Sequence, residues 1–186
     1  MHGSLFRPPN PTKKWQRPSD LRLDFDLEHG RLNGVGLTEP LDRLSFLGPV
    51  EDEAGLTARE YRYFSLGLCI GSSHAGDTIE CFDLIQKTAG SQHYLPFSGV
   101  CRCRDQNLVL HDVTEQSFLR QCGVPYWRDE DEVEIVLFYE LPSLEWQCEF
   151  SVDGTFNHII VTSAPLLANK KERQAYGVTK PWPPKG

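Results

Sequence analysis

Six cysteines and six histidines are the residues of this chain best suited to chemistry, and their spacing decides which chemistry is open to them. Cys101 and Cys103 stand one residue apart. Structural zinc sites use cysteines two to four residues apart, matched by a second pair of ligands. No second pair follows here, and within a strand that spacing only puts both sulfurs on one face. Core packing is therefore expected. Cys69, Cys81, Cys122 and Cys148 also fall in apolar or strand-like runs, so all six cysteines are read as reduced and buried, in keeping with the small-hydrophobe behaviour of the free thiol. His2, His29, His74, His93, His111 and His158 contain no i, i+4 pair of the helical zinc type, and no nucleophile elbow accompanies them. His111 at a strand end, His158 within a strand, and Cys148 are the first candidates should a sheet cavity hold a small molecule or a reaction. No catalytic, metal-binding or cofactor-binding residue is otherwise assigned, and no cofactor is expected.

A different pattern suggests recognition. Asp129-Glu130-Asp131-Glu132, with Glu134, lies beside Tyr126, Trp127, Phe138 and Tyr139. Acid next to aromatic residues suits a protein-binding edge; the plainer reading is a solvated hairpin loop whose aromatics point inward. Glu145-Trp146-Gln147-Cys148-Glu149-Phe150 alternates, which puts Trp146, Cys148 and Phe150 on one face and Glu145, Gln147 and Glu149 on a wet one. The candidate partner-binding residues are Tyr126, Trp127, Asp129, Glu130, Asp131, Glu132, Glu145 and Glu149. The glycine-rich Gly71–Gly76 lacks the Gly-Lys-Ser/Thr ending of a phosphate loop and no helical pattern follows, so it reads as a hairpin loop.

Charge sharpens the choice of partner. The total of −7 hides two ends of +4 each, residues 1–19 and 170–186, around a body of −15. Such a body does not suit nucleic acid and does suit a basic protein. No apolar run approaches the roughly 20 residues that cross a bilayer. After Leu5-Phe6 come Arg7, Pro8, Pro9, Asn10 and Pro11 rather than a signal peptide's apolar stretch, so a cytoplasmic protein without membrane contact is expected.

The elements that must carry these residues occur as two similar series. Leu21–Leu27 alternates strictly and returns through Arg31–Val35; Thr38, with Pro40 behind it, starts a short helix stopped by Gly48-Pro49. Strands follow at Arg59–Ile70 (a hairpin) and Thr78–Gln86. In the second series Val100–Arg104 and Leu108–His111 form the hairpin, and Thr114 starts a helix stopped near Gly123 and Pro125. Val133–Tyr139, Trp146–Val152 and Thr155–Thr162 are its strands. The spacing from Gly48 to Gly123 is 75, from Thr38 to Thr114 is 76 and from Thr78 to Thr155 is 77. A duplicated unit of about 75 residues is the natural reading. The expected organisation is a basic proline-rich arm (1–19) anchored by Trp15, two α+β repeats (20–88 and 89–167), and a loose basic tail (168–186). Together the repeats would form one curved antiparallel sheet with helices on one face.

The helix endings Leu47-Gly48-Pro49 and Cys122-Gly123-Val124-Pro125 resemble the Leu-Gly-x-Pro ending of β-lactamase-inhibitor-protein-like domains and the related small outer-membrane lipoprotein domains, over residues 20–165. The lipoproteins' signal and lipid-attachment cysteine are absent from this sequence, so that role does not carry over. The resemblance implies a non-enzymatic scaffold that binds proteins through a concave sheet. An immunity or inhibitor protein against a basic toxin or enzyme is the concrete expectation; a small-molecule-binding protein or enzyme, and a structural subunit, are the alternatives.

Overall fold

The computed structural model describes residues 9–87, 93–104 and 106–180. The linker start at 89–91, Asp105 of the expected turn and the last six residues lie outside them. Among the described residues twelve strands form two sheets in an α+β arrangement. The larger sheet runs β4 (Glu60–Tyr63), β5 (Leu68–Ser72), β6 (Ile79–Ile85), β12 (Phe156–Thr162), β11 (Leu144–Ser151), β10 (Glu134–Leu141), β9 (Trp127–Glu130), all antiparallel. The smaller runs β3 (Val35–Gly36), β2 (Arg31–Leu32), β1 (Asp24–Asp26), β7 (Val100–Cys103), β8 (Gln106–Leu108).

The expected single curved sheet is thereby corrected. The two hairpins that precede the helices leave the larger sheet and join each other through a parallel β1–β7 pair, Asp24 beside Val100 and Asp26 beside Arg102. The physical reason is the core. Strand alternation points Tyr61, Tyr63, Ile70, Phe82, Leu84, Ile159, Val161, Leu137 and Cys148 to one face of the larger sheet, and all are buried. One short helix per series cannot cover so wide an apolar face. The smaller sheet completes the cover: the Phe25 and Phe82 rings meet edge to face at 5.3 Å, and Trp146 Nε1 donates to the Leu27 carbonyl at 2.8 Å. One contiguous hydrophobic cluster takes in residues from both series, Leu44 and Phe82 together with Phe118 and Phe150.

The first helix is a 3-10 segment, Leu41–Leu47, capped by Pro40 without a side-chain bond. Thr38 is not its cap: it sits at φ 64°, with its N–H held by the Ile79 carbonyl. The second helix, α1 (Glu115–Cys122), has the expected Thr114 start, in a reciprocal capping box with Ser117. Both endings use a glycine at positive φ, Gly48 at 78° and Gly123 at 87°, and each accepts a tyrosine hydroxyl at its carbonyl, Tyr63 at 3.2 Å and Tyr139 at 2.8 Å. Pro40 bridges Thr78 just as Thr114 bridges Thr155. The strands β6 and β12 pair with each other, and Asp83 faces Ile160, 77 residues further along the chain. The pairing irregularities at Gly71/Ser72 and Glu149/Phe150 also fall at matching places.

Three further expectations change. The acidic run is not wholly loop: Asp129 and Glu130 belong to the edge strand β9. The tail is not loose over its described part. Helix α2 (Lys170–Ala175) lies on the outer face of the larger sheet, opposite the other helices, and Arg173 is only 2% exposed. The arm is tied down from its described start. Thr12 is buried, its hydroxyl accepts the Val50 N–H at 2.8 Å, Trp15 packs on the core as expected, and Arg17 donates to the Leu47 carbonyl at 2.7 Å. Among the described residues no helix is long and apolar enough to cross a membrane.

Candidate functional site

The polar face of the larger sheet carries a groove. Two hollows of about 410 and 530 Å³ lie side by side on it and share Glu134, Glu149 and His158. Their floor follows from alternation: Arg62 on β4, Cys69 on β5, Asp83 on β6, His158 on β12, Glu149 on β11 and Glu134 on β10 all point away from the core. Tyr94 walls one hollow; Trp127, Phe138 and Tyr176 wall the other.

His158 is the centre of this floor. Its Nδ1 lies 2.8 Å from Asp83 Oδ1 and its Nε2 lies 2.6 Å from Glu149 Oε2, with all three side chains about one fifth exposed. Only a ring protonated at both nitrogens donates to both acids. Burial works against that charge, but the hydrogen bonds and charges of Asp83 and Glu149 outweigh it and push the imidazole up to about 10. The bond from His158 in turn holds the Glu149 carboxyl below its usual range despite burial. Asn157 adds a second donor to Glu149 at 3.0 Å. His158 is thus a fixed cation at neutral pH, not a proton acceptor. Burial, next to Asp83 and Glu60, pushes the Cys69 thiol up to about 12, so no thiolate is offered to the groove.

The remaining groove charges are mostly acidic. Glu60, Glu134, Asp129 and Glu172 join Asp83 and Glu149, against Arg62, Lys87 and the imidazolium. Arg62 is itself neutralised by Asp52 at 2.9 Å and by Glu60. Burial, with Glu149 and Asp131 nearby, raises the Glu134 carboxyl above its usual value. The groove therefore favours a positive charge in its occupant.

The candidates named from sequence divide sharply. Glu149 and Trp127 line the groove, as does Asp129. Tyr126 and Glu145 do not, and the wet position expected for Glu145 is corrected: it is 0% exposed. Its carboxylate, raised by burial, accepts the Tyr126 hydroxyl at 2.7 Å and the Leu166 N–H at 2.9 Å beneath the C-terminal segment. Glu130 pairs with Arg128, which also holds Glu115 at 2.9 Å. Asp131 caps its own turn by accepting the Val133 and Glu134 N–H groups, and Glu132 is exposed beside it. Trp127 is not a free aromatic: it stacks on Phe138 at 4.3 Å and leans on Tyr176 at 5.3 Å. His111, His158 and Cys148 are not brought together. Cys148 faces the core, His158 the opposite face, and His111 stands exposed beside Asp112. Among the described residues no three His, Cys, Asp or Glu side chains are arranged to hold a metal ion.

Asp83 and Arg62 carry no signal of their own in the sequence, and Glu134 stands there only beside the acidic run, outside the candidate residues. Alternation puts Asp83 and His158 each on a polar face, but only the β6–β12 register makes those faces one.

No family model matches the chain, and no curated protein matches it. Among solved structures, the chain is similar to a DUF4309 family protein (YjgB) from Bacillus subtilis subsp. subtilis str. 168, with 18% identity and a TM-score of 0.49 over 71% of this chain and 84% of that one.

Proposed function

We propose that the chain is a non-enzymatic binding module whose outer sheet face receives a lysine- or arginine-bearing segment of a basic protein, as an inhibitor or immunity protein would. The observation that carries this reading is a guanidinium already held by the same sheet face. Arg173 of α2 lies over the Tyr126 ring at 5.2 Å, pairs with the buried Glu140 and donates to the Leu167 and Lys180 carbonyls at 2.8 and 2.6 Å. Acid, aromatic ring and carbonyl together make a guanidinium receptor. The neighbouring hollow of the groove repeats the acid and the ring, at Glu134, Asp129 and Trp127, with no arginine among its described lining residues.

The scaffold in this proposal is a tandem duplication. Its support is the pair of tyrosine-to-glycine bonds, the matched bridges at Thr78 and Thr155, and the facing of Asp83 by Ile160. On this reading the groove arose where the two copies meet, at the β6–β12 seam. A reducing compartment such as the cytoplasm suits six unpaired cysteines.

Titration of a fluorescein-labelled oligo-arginine peptide into the purified chain tests the reading. Binding is expected at low salt and should weaken about tenfold or more when ionic strength rises into the range where the Debye length is under ~8 Å. Glu134→Gln with Asp129→Asn should reduce it further. Absence of binding at low salt, or binding indifferent to those substitutions, would remove the groove from consideration.

A further inference from the structure

On the core side of the larger sheet, away from the groove, two thiols meet. Cys103 ends β7 and Cys122 ends α1; both are buried, at 1% and 4%, with sulfurs 3.5 Å apart. At the places that match them in the first series stand Leu27 and Leu47, both 0% exposed. Packing at these positions is thus served by apolar side chains elsewhere in the chain, and nothing in the core requires sulfur. Cys122 also borders a hollow of about 180 Å³, whose wall includes Arg104 and the 92%-exposed Val124. Cys122 lines that hollow, and the Cys103 sulfur lies 3.5 Å from the Cys122 sulfur.

We infer that Cys103 and Cys122 form a reversible dithiol–disulfide site, oxidised by a hydroperoxide that enters beside Val124. The Cys122 thiol donates to the Cys103 sulfur and so favours the Cys103 thiolate against burial, while Cys122 itself is raised by that same bond. The thiolate attacks one peroxide oxygen. An S–O bond forms, the O–O bond breaks, and the departing hydroxide takes a proton to become water. The Cys122 sulfur then attacks the sulfenic sulfur of Cys103. The S–S bond forms, the S–O bond breaks, and the thiol proton leaves with the hydroxide as a second water. Two thiols and one hydroperoxide give one disulfide and two waters when the oxidant is hydrogen peroxide. The bridge ties the C-terminal end of α1 to β7 and closes a loop across a sequence separation of 19. The sulfurs must approach by about 1.5 Å to reach bonding distance, a shift that the terminal turn of an eight-residue helix can supply.

Exposure alone would favour different sites, since Cys69 and Cys81 are half-buried and the pair is not. Burial pushes those two thiols up to about 12 and about 11, which keeps them protonated. The test uses the full purified chain and hydrogen peroxide in small excess. It is then denatured in an alkylating reagent and digested for mass spectrometry. The expected result is a cross-linked Cys103–Cys122 peptide two hydrogens lighter than the thiols, lost on treatment with dithiothreitol, with Cys69, Cys81, Cys101 and Cys148 alkylated. The oxidised chain should melt roughly 5–10 °C higher, and Cys122→Ala should show neither change. Oxidation first at Cys69 or Cys81, an over-oxidised Cys103 without a cross-link, or six alkylatable thiols after treatment would each overturn the assignment; all three readouts use the unmutated chain.

Discussion

Asp83 and Glu149 each hold one ring nitrogen of His158, and the imidazole and the Glu149 carboxyl respond to pH in opposite directions. The imidazole, raised to about 10 in the folded chain, lies above the 6.5 of an unfolded one. Its stabilisation is therefore complete below about pH 6.5 and lost as pH rises toward 10. Glu149, lowered from 4.5, contributes stability above that value and loses it as pH falls through its folded value. The clamp is strongest between those limits. His158→Gln should cost about 2–3 kcal/mol near pH 6, because it leaves two partly buried carboxylates without their cation. The cost should shrink steadily toward pH 10. Urea unfolding of both proteins at pH 6, 8 and 9.5 measures it, and a difference that stays constant with pH would mean the ring is not the charged form described. The same argument limits catalysis by this residue: a ring already doubly protonated has no lone pair with which to accept a proton at neutral pH.

The two helix endings allow a controlled comparison between elements. Gly48 and Gly123 share an extended-ψ, positive-φ conformation that other residues adopt only with strain, of order 1–3 kcal/mol. Their surroundings differ. A Cβ at Gly123 meets nothing within 4 Å, whereas one at Gly48 comes within 2.9 Å of Arg17 Cβ and 3.2 Å of the Arg17 backbone nitrogen. Gly123→Ala should thus cost about 1–2 kcal/mol, and Gly48→Ala more than that, with the arm from Thr12 to Arg17 becoming sensitive to protease. Equal costs would show that the arm yields freely. The glycine–proline stops, the Thr114 start and the period-2 strands were legible in the sequence because each rests on local chemistry, namely capping, ring constraint and side-chain alternation. Less was legible wherever a pairing partner lies far along the chain. Leu21–Leu27 reads correctly as strand-forming, but nothing local says that β1 takes β7 as a parallel neighbour instead of joining the larger sheet. Similarly Asp129 and Glu130 carry loop-like charge, yet edge position on β10 lets such charge persist in a strand.

At the scale of the whole molecule, the separation of charge has a structural consequence within the chain. The basic C-terminal segment lies against the acidic sheet face, where the Glu140 side chain and Glu145 have no exposure. A sequence with a −15 body and a +4 end reads as one partner short; part of that partner is its own tail. The groove identified from the fold is the stretch of the face that the tail leaves open. The candidate residues Tyr126 and Glu145 lie beneath the tail, whereas Asp129, Trp127 and Glu149 line the open groove. Arg173 is the keystone of the arrangement, since the guanidinium satisfies two carbonyls and one buried carboxylate at once. Arg173→Ala should cost about 3–5 kcal/mol because it leaves the buried Glu140 carboxylate with only the half-exposed Lys180, 3.7 Å away, as a cation. Arg173→Lys keeps the charge but loses the fork and should cost about half as much. The double substitution Arg173→Leu with Glu140→Leu should be milder than Arg173→Ala alone, since no unpaired charge remains. Lys170→Ala, on the exposed side of the same helix, should change stability by less than about 0.5 kcal/mol. Denaturant unfolding followed by tryptophan fluorescence reads all four, because Trp127 rests on Tyr176 and reports release of the segment. If Arg173→Ala unfolds with the unmutated midpoint, the tail is an ornament on the sheet, and the acidic face is open along its whole length to a basic partner.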